Sequence, residues 1–303
     1  MKPIIFIDGQ EGTTGLQIHS RLVDRDDIEL LSIDESLRKD VNERKTLINQ
    51  ADLVILCLPD AAARESVSLI ENESTKVIDA STAHRTADGW VYGFAELSAE
   101  QCDKIKNAKR VANPGCHSTG IIASVYPLIA QSIMPNDYPV TCISITGYSG
   151  GGKSMINAYE NEKTPDMYAP RMYALELNHK HLPEITHVTG LTAKPLFCPI
   201  VDDYYNGLAT TVTLHNDSLT GRPTAESILK VLTEHYKGQK YVTVAPKLGS
   251  GMLECNWGAD TDNMEITVSG NDDQTIITAR FDNLGKGAAG AAVQNMDIML
   301  GLG

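Results

Sequence analysis

Residues 4–22 run from an apolar stretch, Ile4-Ile5-Phe6-Ile7, through a loop with glycines at 9, 12 and 15, into Leu16-Gln17-Ile18-His19-Ser20-Arg21-Leu22, a helical pattern. Strand, glycine loop and helix in that order open a βαβ unit and commit the chain to a parallel sheet. Backbone N–H groups and the positive end of the helix dipole meet at such a loop, which suits a phosphate. Gly9, Gly12, Thr13, Thr14 and Gly15 are therefore candidate cofactor-binding residues. Their Gly-x-x-Gly-x-x-Gly spacing is one residue off the usual dinucleotide fingerprint. The competing reading is a glycine-rich turn with no ligand.

The next stretch repeats the unit. Ile28–Ile33 reads as a second strand, Ala51–Pro59 as a continuous apolar strand of the doubly covered kind, and Val77–Ala80 as a further strand. Arg110-Val111-Ala112 completes four βα units, which predicts a Rossmann-like domain. At the end of the second strand the signals conflict. Asp34 suits a ribose 2′-OH and hence NAD, whereas Ser32, Arg38 and Lys39 suit a 2′-phosphate and hence NADP. The two cations beside Ser32 favour NADP, although Arg38-Lys39 also reads as a solvated helix face. Arg85 follows the Val77–Ala80 strand, where polar residues line the ligand crevice in this architecture, and is a candidate anion holder.

Asn113–Gly120, Asn-Pro-Gly-Cys-His-Ser-Thr-Gly, joins a tight turn to a helix over Ile121–Ala130, with Ser118 and Thr119 as N-cap candidates. Cys116 thus sits at a helix N-terminus, which favours a thiolate nucleophile and offers N–H groups to an oxyanion. The plain alternative is a buried structural cysteine. Beyond the helix, Val140–Thr146 alternates as a strand. Gly207–Leu214, Tyr241–Ala245, Glu265–Val268 and Gln274–Arg280 are hairpin-like, and Thr224–Tyr236 is helical. The fold class expected is α/β. A Rossmann-like parallel-sheet domain over 1–115 precedes an α+β catalytic and oligomerisation domain over 116–283 with a mixed or antiparallel sheet. A small-residue helix over 284–303 packs back on the first domain.

Gly147–Ser154 satisfies the P-loop pattern G-x-x-x-x-G-K-[ST], which alone would indicate an ATPase. The preceding strand alternates as if half exposed, so the preferred reading is a glycine loop whose backbone and Ser149 and Gly150 face a substrate. Asn178–Ile185 then gathers His179, Lys180, His181 and Glu184. A nucleophilic cysteine needs a proton acceptor and donor, and histidine serves as both near neutral pH. His-x-His spacing also suits zinc, but no third ligand is evident, so no metal is expected.

A net charge of −13 argues against nucleic acid or an anionic membrane as partner. The N-terminal apolar run is too short for a signal peptide, and no stretch reaches the ~18 apolar residues of a span. Six cysteines without C-x-x-C spacing fit reduced thiols in a cytoplasmic protein.

At this point the chain resembles the N-acetyl-γ-glutamyl-phosphate reductases, a group that also includes aspartate-semialdehyde dehydrogenase. The resemblance rests on the Gly9–Gly15 loop, Asn-Pro-Gly-Cys-x-x-Thr-Gly at 113–120 and Ser-Gly-Gly-Gly at 149–152. It extends to His-x-His-x-Pro-Glu-Ile at 179–185 and to Asp-Asn-Leu-x-Lys-Gly-Ala-Ala-Gly-x-Ala-Val-Gln-Asn-Met at 282–296. His117, where many members carry an aromatic residue, and Gly285, where a larger apolar residue is common, depart from the pattern, as do Gln10, Glu11 and Thr13. The resemblance implies NADPH-dependent reduction of a small acyl phosphate in arginine biosynthesis. Cys116 would be the nucleophile and His181 the acid/base, with His179 as the second choice. It further implies Arg85 and Lys180 as anion holders, Asn283 near the nicotinamide, and a homodimer or tetramer. Rival readings are another semialdehyde dehydrogenase, a P-loop ATPase and a nucleotide-sensing protein without turnover.

Overall fold

Each apolar run of the N-terminal half finds a parallel neighbour. The elements are β1 (Ile4–Asp8), α1 (Thr13–Leu22), β2 (Glu29–Leu31), α2 (Val41–Gln50), β3 (Leu53–Leu56) and α3 (Asp60–Ser68). They continue with β4 (Lys76–Asp79), β5 (Val91–Tyr92), α4 (Ala99–Asn107) and β6 (Arg110–Ala112). The computed structural model describes residues 1–246 and 251–302. In it these strands form one parallel sheet in the order β2-β1-β3-β4-β6-β5. Every residue of β3 is buried, as its unbroken apolar sequence requires. One face of the sheet packs against Ile18 and Leu22 of α1 and Ile105 of α4, the other against Leu47 and Ile48 of α2 and Ala63 of α3. The second strand is shorter than its apolar pattern, because only Glu29–Leu31 find partners on β1.

The second half contains α5 (Cys116–Ala130), β7 (Thr141–Gly147), α6 (Gly152–Asn161), β8 (Arg171–Met172), α7 (Leu182–Thr189) and β9 (Leu196–Asp202). It continues with β10 (Leu208–His215), α8 (Ala225–His235), β11 (Val242–Val244), β12 (Met264–Gly270) and β13 (Gln274–Phe281). Their sheet is mixed, in the order β11-β12-β13-β10-β7-β9-β8, with β7 parallel to β9 and antiparallel to β10. The last helix is α9 (Gly290–Leu300), entered through a π-helical turn at Gly285–Ala289.

The chain divides into two compact units, Met1–Pro114 with Ala288–Gly303, and Gly115–Gly287. Ala289, Ala292, Met296 and Met299 of the last segment join the core of the first unit. The return to that unit starts at Ala288, a few residues later than the sequence pattern suggests. Asp282 keeps the intervening turn in the second unit: its carboxylate accepts from the Leu284 and Gly285 amides, and its carbonyl accepts from Gly287. Among the described residues, no helix is long and apolar enough to cross a membrane.

Candidate active site

The first unit carries a pocket at the end of β1. Gly9 has φ +89°, and a Cβ there would lie 2.5 Å from the Cys57 carbonyl oxygen; one on Gly15 would lie 2.5 Å from the Gly9 oxygen. Both positions therefore demand glycine, and the loop closes tightly onto the start of α1. Gly12 caps α1 without a side-chain bond. Thr13 Oγ1 is buried with no hydrogen-bond partner in the protein, while Thr14 beside it is half-buried. A phosphate at this helix end would satisfy both features, so the residues present fit a dinucleotide. A cavity of about 320 Å³ adjoins the loop and is lined by Gly9, Gln10, Arg38, Lys39 and Arg44 among others.

The residues behind the conflicting NAD and NADP signals at 32–39 take different places in the fold. The Asp34 carboxylate accepts from both the amide and the hydroxyl of Ser36, which holds it below the usual carboxylate range and commits it to a local turn. Arg38 and Lys39 face the cavity, whereas Ser32 is exposed beyond the end of β2, outside the lining. Arg44, which the sequence reading passed over, is buried. Its guanidinium donates to Asp8 and to Ser66 Oγ, and pairs with Glu65. Its isolated place on the polar helix α2 gave no signal.

Arg85 does not form an anion pocket through its described bonds. It is buried, and its guanidinium donates to the carbonyls of Asn113 (3.0 Å) and Ala80 (3.3 Å), which steadies the Asn113 turn. Asn113 itself donates to the Ala288 carbonyl and accepts from Asn295.

The second unit holds the reactive thiol. α5 begins at Cys116 itself, with Gly115 as cap and no side-chain cap bond. The helix therefore starts earlier than the Ser118-Thr119 signal suggests: Thr119 Oγ1 turns back onto the Gly115 carbonyl, and Ser118 Oγ is buried. Gly287 is needed beside it, since a Cβ there would lie 3.0 Å from Cys116 Cβ. A cavity of about 210 Å³ is lined by Cys116, His117, Tyr173, His179, Lys180 and His181, and also by Thr146, Met155, Val201 and the glycines 147, 150 and 151.

The two histidines differ. His181 is buried and caps α7, whereas His179 Nδ1 accepts the His181 amide at 3.2 Å and is thereby held with its proton on Nε2. One turn on, Glu184 is buried and its carboxylate accepts from Gly115 N at 3.1 Å, so the helix bearing His181 is tied to the turn bearing Cys116. Tyr173 lies in an irregular segment and had no signal.

Two expectations need correction. Ser149 does not face the cavity with its hydroxyl: that group donates to Asn206 Oδ1 and accepts from Asn283 Nδ2, fully buried. Asn283 is likewise committed, donating to Ser149 and accepting from the Gly207 amide, and it serves as a brace. The neighbouring Gly150 lines the cavity by its backbone. The P-loop resemblance also dissolves. The amides of Gly147, Tyr148 and Ser149 already donate to the carbonyls of Gly207, Tyr204 and Tyr205, so they are closed to a triphosphate. Asp202 ends the parallel neighbour β9 opposite Gly147.

Comparison with known proteins gives a consistent picture. Residues 9–105 match the family described as semialdehyde dehydrogenase, NAD binding domain, and residues 116–283 that described as semialdehyde dehydrogenase, dimerisation domain. An N-acetyl-gamma-glutamyl-phosphate reductase 2 of Nostoc sp. is 49% identical, covering 99% of this chain and 98% of its own length. One from Pseudomonas putida is 45% identical over 99% and 97%. Among solved structures, aspartate semialdehyde dehydrogenase II from Vibrio cholerae has the same fold, with a TM-score of 0.75 and 14% identity over 99% of each chain.

Proposed function

This chain belongs to the N-acetyl-γ-glutamyl-phosphate reductase family, and on that premise we propose how its own residues carry out the reaction. It is a phosphorylating oxidoreductase that converts N-acetyl-γ-glutamyl phosphate to N-acetylglutamate 5-semialdehyde and phosphate with NADPH, a step of arginine biosynthesis. One observation carries the assignment of roles: Cys116, at the first position of a helix with no side-chain cap bond, shares its cavity with His179, Lys180 and His181.

Cys116 attacks the acyl carbon. The S–C bond forms, the C–O bond to phosphate breaks, and the thiol proton passes through His181 to the departing phosphate. The first-turn amides of α5 stabilise the oxyanion, and Lys180 attracts the phosphate. The Gly9–Gly15 loop, Arg38 and Lys39 would hold NADPH, which would supply the hydride for reduction of the thioester. His181 then delivers a solvent proton as the C–S bond breaks, which releases the aldehyde and restores the thiol. His179, donating through Nε2, orients the substrate. Arg85 supports the Asn113 turn, and Asn283 the glycine loop. We place the enzyme in the cytoplasm as a homo-oligomer without nucleic acid, supported by six cysteines that form no disulfide and by the match to a dimerisation domain.

The test is phosphate-dependent reduction of NADP⁺ by N-acetylglutamate 5-semialdehyde, with aspartate semialdehyde and ATP as control substrates. Activity with the first aldehyde should fall at least ~1000-fold in Cys116→Ala. Activity with aspartate semialdehyde alone would discard the substrate, and an active Cys116→Ala would discard the nucleophile.

A further inference from the structure

The scheme above leaves unused a buried chain of hydrogen-bonding groups beneath the cavity. Thr210 Oγ1 lies 3.0 Å from Ser144 Oγ, Ser144 Oγ 2.7 Å from His117 Nδ1, and His117 Nε2 2.8 Å from the Tyr173 hydroxyl. Thr210 and Ser144 are fully buried, His117 is nearly so, and Tyr173 reaches the cavity that holds Cys116. Burial, with His179 and Lys180 close by, pushes His117 down to about 3, so its ring carries a single proton. Burial and the nearby Cys116 push Tyr173 up, so the phenol keeps its hydrogen.

Two directions are available to this chain. In the first, Tyr173 donates to Nε2, Nδ1–H donates to Ser144, and Ser144 donates to Thr210. The Thr210 hydrogen is then left without an acceptor in the dry interior. In the second, Thr210 donates to Ser144, Ser144 donates to Nδ1, and Nε2–H donates to Tyr173. The one hydrogen left over is then that of Tyr173, at the cavity, where solvent or a ligand meets it. An unmet donor is costly in the interior and cheap at a wet pocket, so the second direction prevails.

We propose that His117 is a positioning residue: the Thr210–Ser144–His117 chain fixes Tyr173 as a hydrogen-bond donor to an oxygen of the acyl phosphate bound beside Cys116. This rests on the reading of Cys116 as the nucleophile. A residue that stood out in the sequence as a departure thereby acquires a specific task. An aromatic hydrocarbon at 117 could not orient the phenol, whereas the imidazole links it to two buried hydroxyls.

Two measurements on the full-length enzyme test the proposal. The first is the ¹⁵N–¹H spectrum of histidine-labelled protein between pH 6 and 8, with His117 assigned through its loss in His117→Gln. It should show His117 protonated on Nε2; a proton on Nδ1 would overturn the proposal, whatever the substrate proves to be. The second is a kinetic cycle with the N-acetylglutamate semialdehyde assay. Tyr173→Phe and His117→Phe should each lower kcat/KM by about 10- to 100-fold. In the Tyr173→Phe background, His117→Phe should cost less than about 2-fold, because its effect runs through the phenol. His117→Gln, whose amide N–H can reach Tyr173, should restore most of what Phe loses. Wild-type rates in Tyr173→Phe, or an equal cost of His117→Phe in both backgrounds, would overturn it. A wild type inactive on this aldehyde would instead discard the proposed function and leave the tautomer result to decide the chain. Should His117→Phe fail to fold, the wild-type spectrum still decides.

Discussion

Surroundings separate the cysteines of this chain. Burial beside Asp79 and Asp8 pushes the Cys57 thiol up to about 12, and burial pushes Cys142 up as well, so both stay protonated and inert. Cys116 instead opens a helix and lines a cavity. That contrast was legible from the Pro-Gly turn before it. His117 shows the opposite case, because nothing local announces that its ring is buried between Ser144 and Tyr173. Its state predicts a pH effect. In the unfolded chain an imidazole titrates near 6.5, whereas in the fold burial holds His117 at about 3. The unfolded state therefore binds more protons between these values, and stability falls as the pH drops from about 6.5 towards 3. The contribution is on the order of 4 kcal/mol across that window. Urea unfolding should show wild type losing more stability between pH 7 and pH 4 than His117→Phe does. Parallel losses would show that another group carries the effect.

Among the elements, α9 and α7 each brace a turn within their own unit. Asn295 of α9 is buried and donates to the Gly93 carbonyl and to Asn113 Oδ1, so the last helix braces the turn that leads towards Cys116. Its alanines and methionines were readable as a packing face. The single asparagine among them was not, since its partners lie far away in sequence. Asn295→Leu should strand both acceptors and cost about 2–3 kcal/mol of stability, read as a lower urea midpoint at unchanged slope. A midpoint equal to wild type would remove Asn295 from this role. In α7, Pro183 at the helix start and the i, i+3 pair of His181 and Glu184 make the geometry local. Only the fold shows that Glu184 reaches Gly115.

At the scale of the whole molecule, part of one face of the mixed sheet carries exposed apolar side chains among the described residues. Ile143 of β7, Leu196 of β9 and Ile276 of β13 are 41%, 49% and 43% exposed. The register places them in adjacent rows with the half-buried Thr211 and Thr213, while Thr278 in the same row is buried. A broad apolar and threonine face suits association of this sheet with a second copy. Sedimentation should find a homo-oligomer, and Ile143→Lys should shift it towards the monomer; an unshifted variant would move the interface elsewhere. The sequence by itself determined the parallel first sheet, the glycine loop, the thiol at a helix start and the histidine pair. Each of these is written in the period or spacing of neighbouring residues. Tertiary structure alone decided that Asp34 turns to Ser36, that Ser149 and Asn283 bind one another, and that Tyr173 and His117 meet at the cavity. Most of these contacts join residues distant in the chain, and even the Asp34 turn depends on a side-chain orientation. No local pattern encodes which polar groups burial will force together.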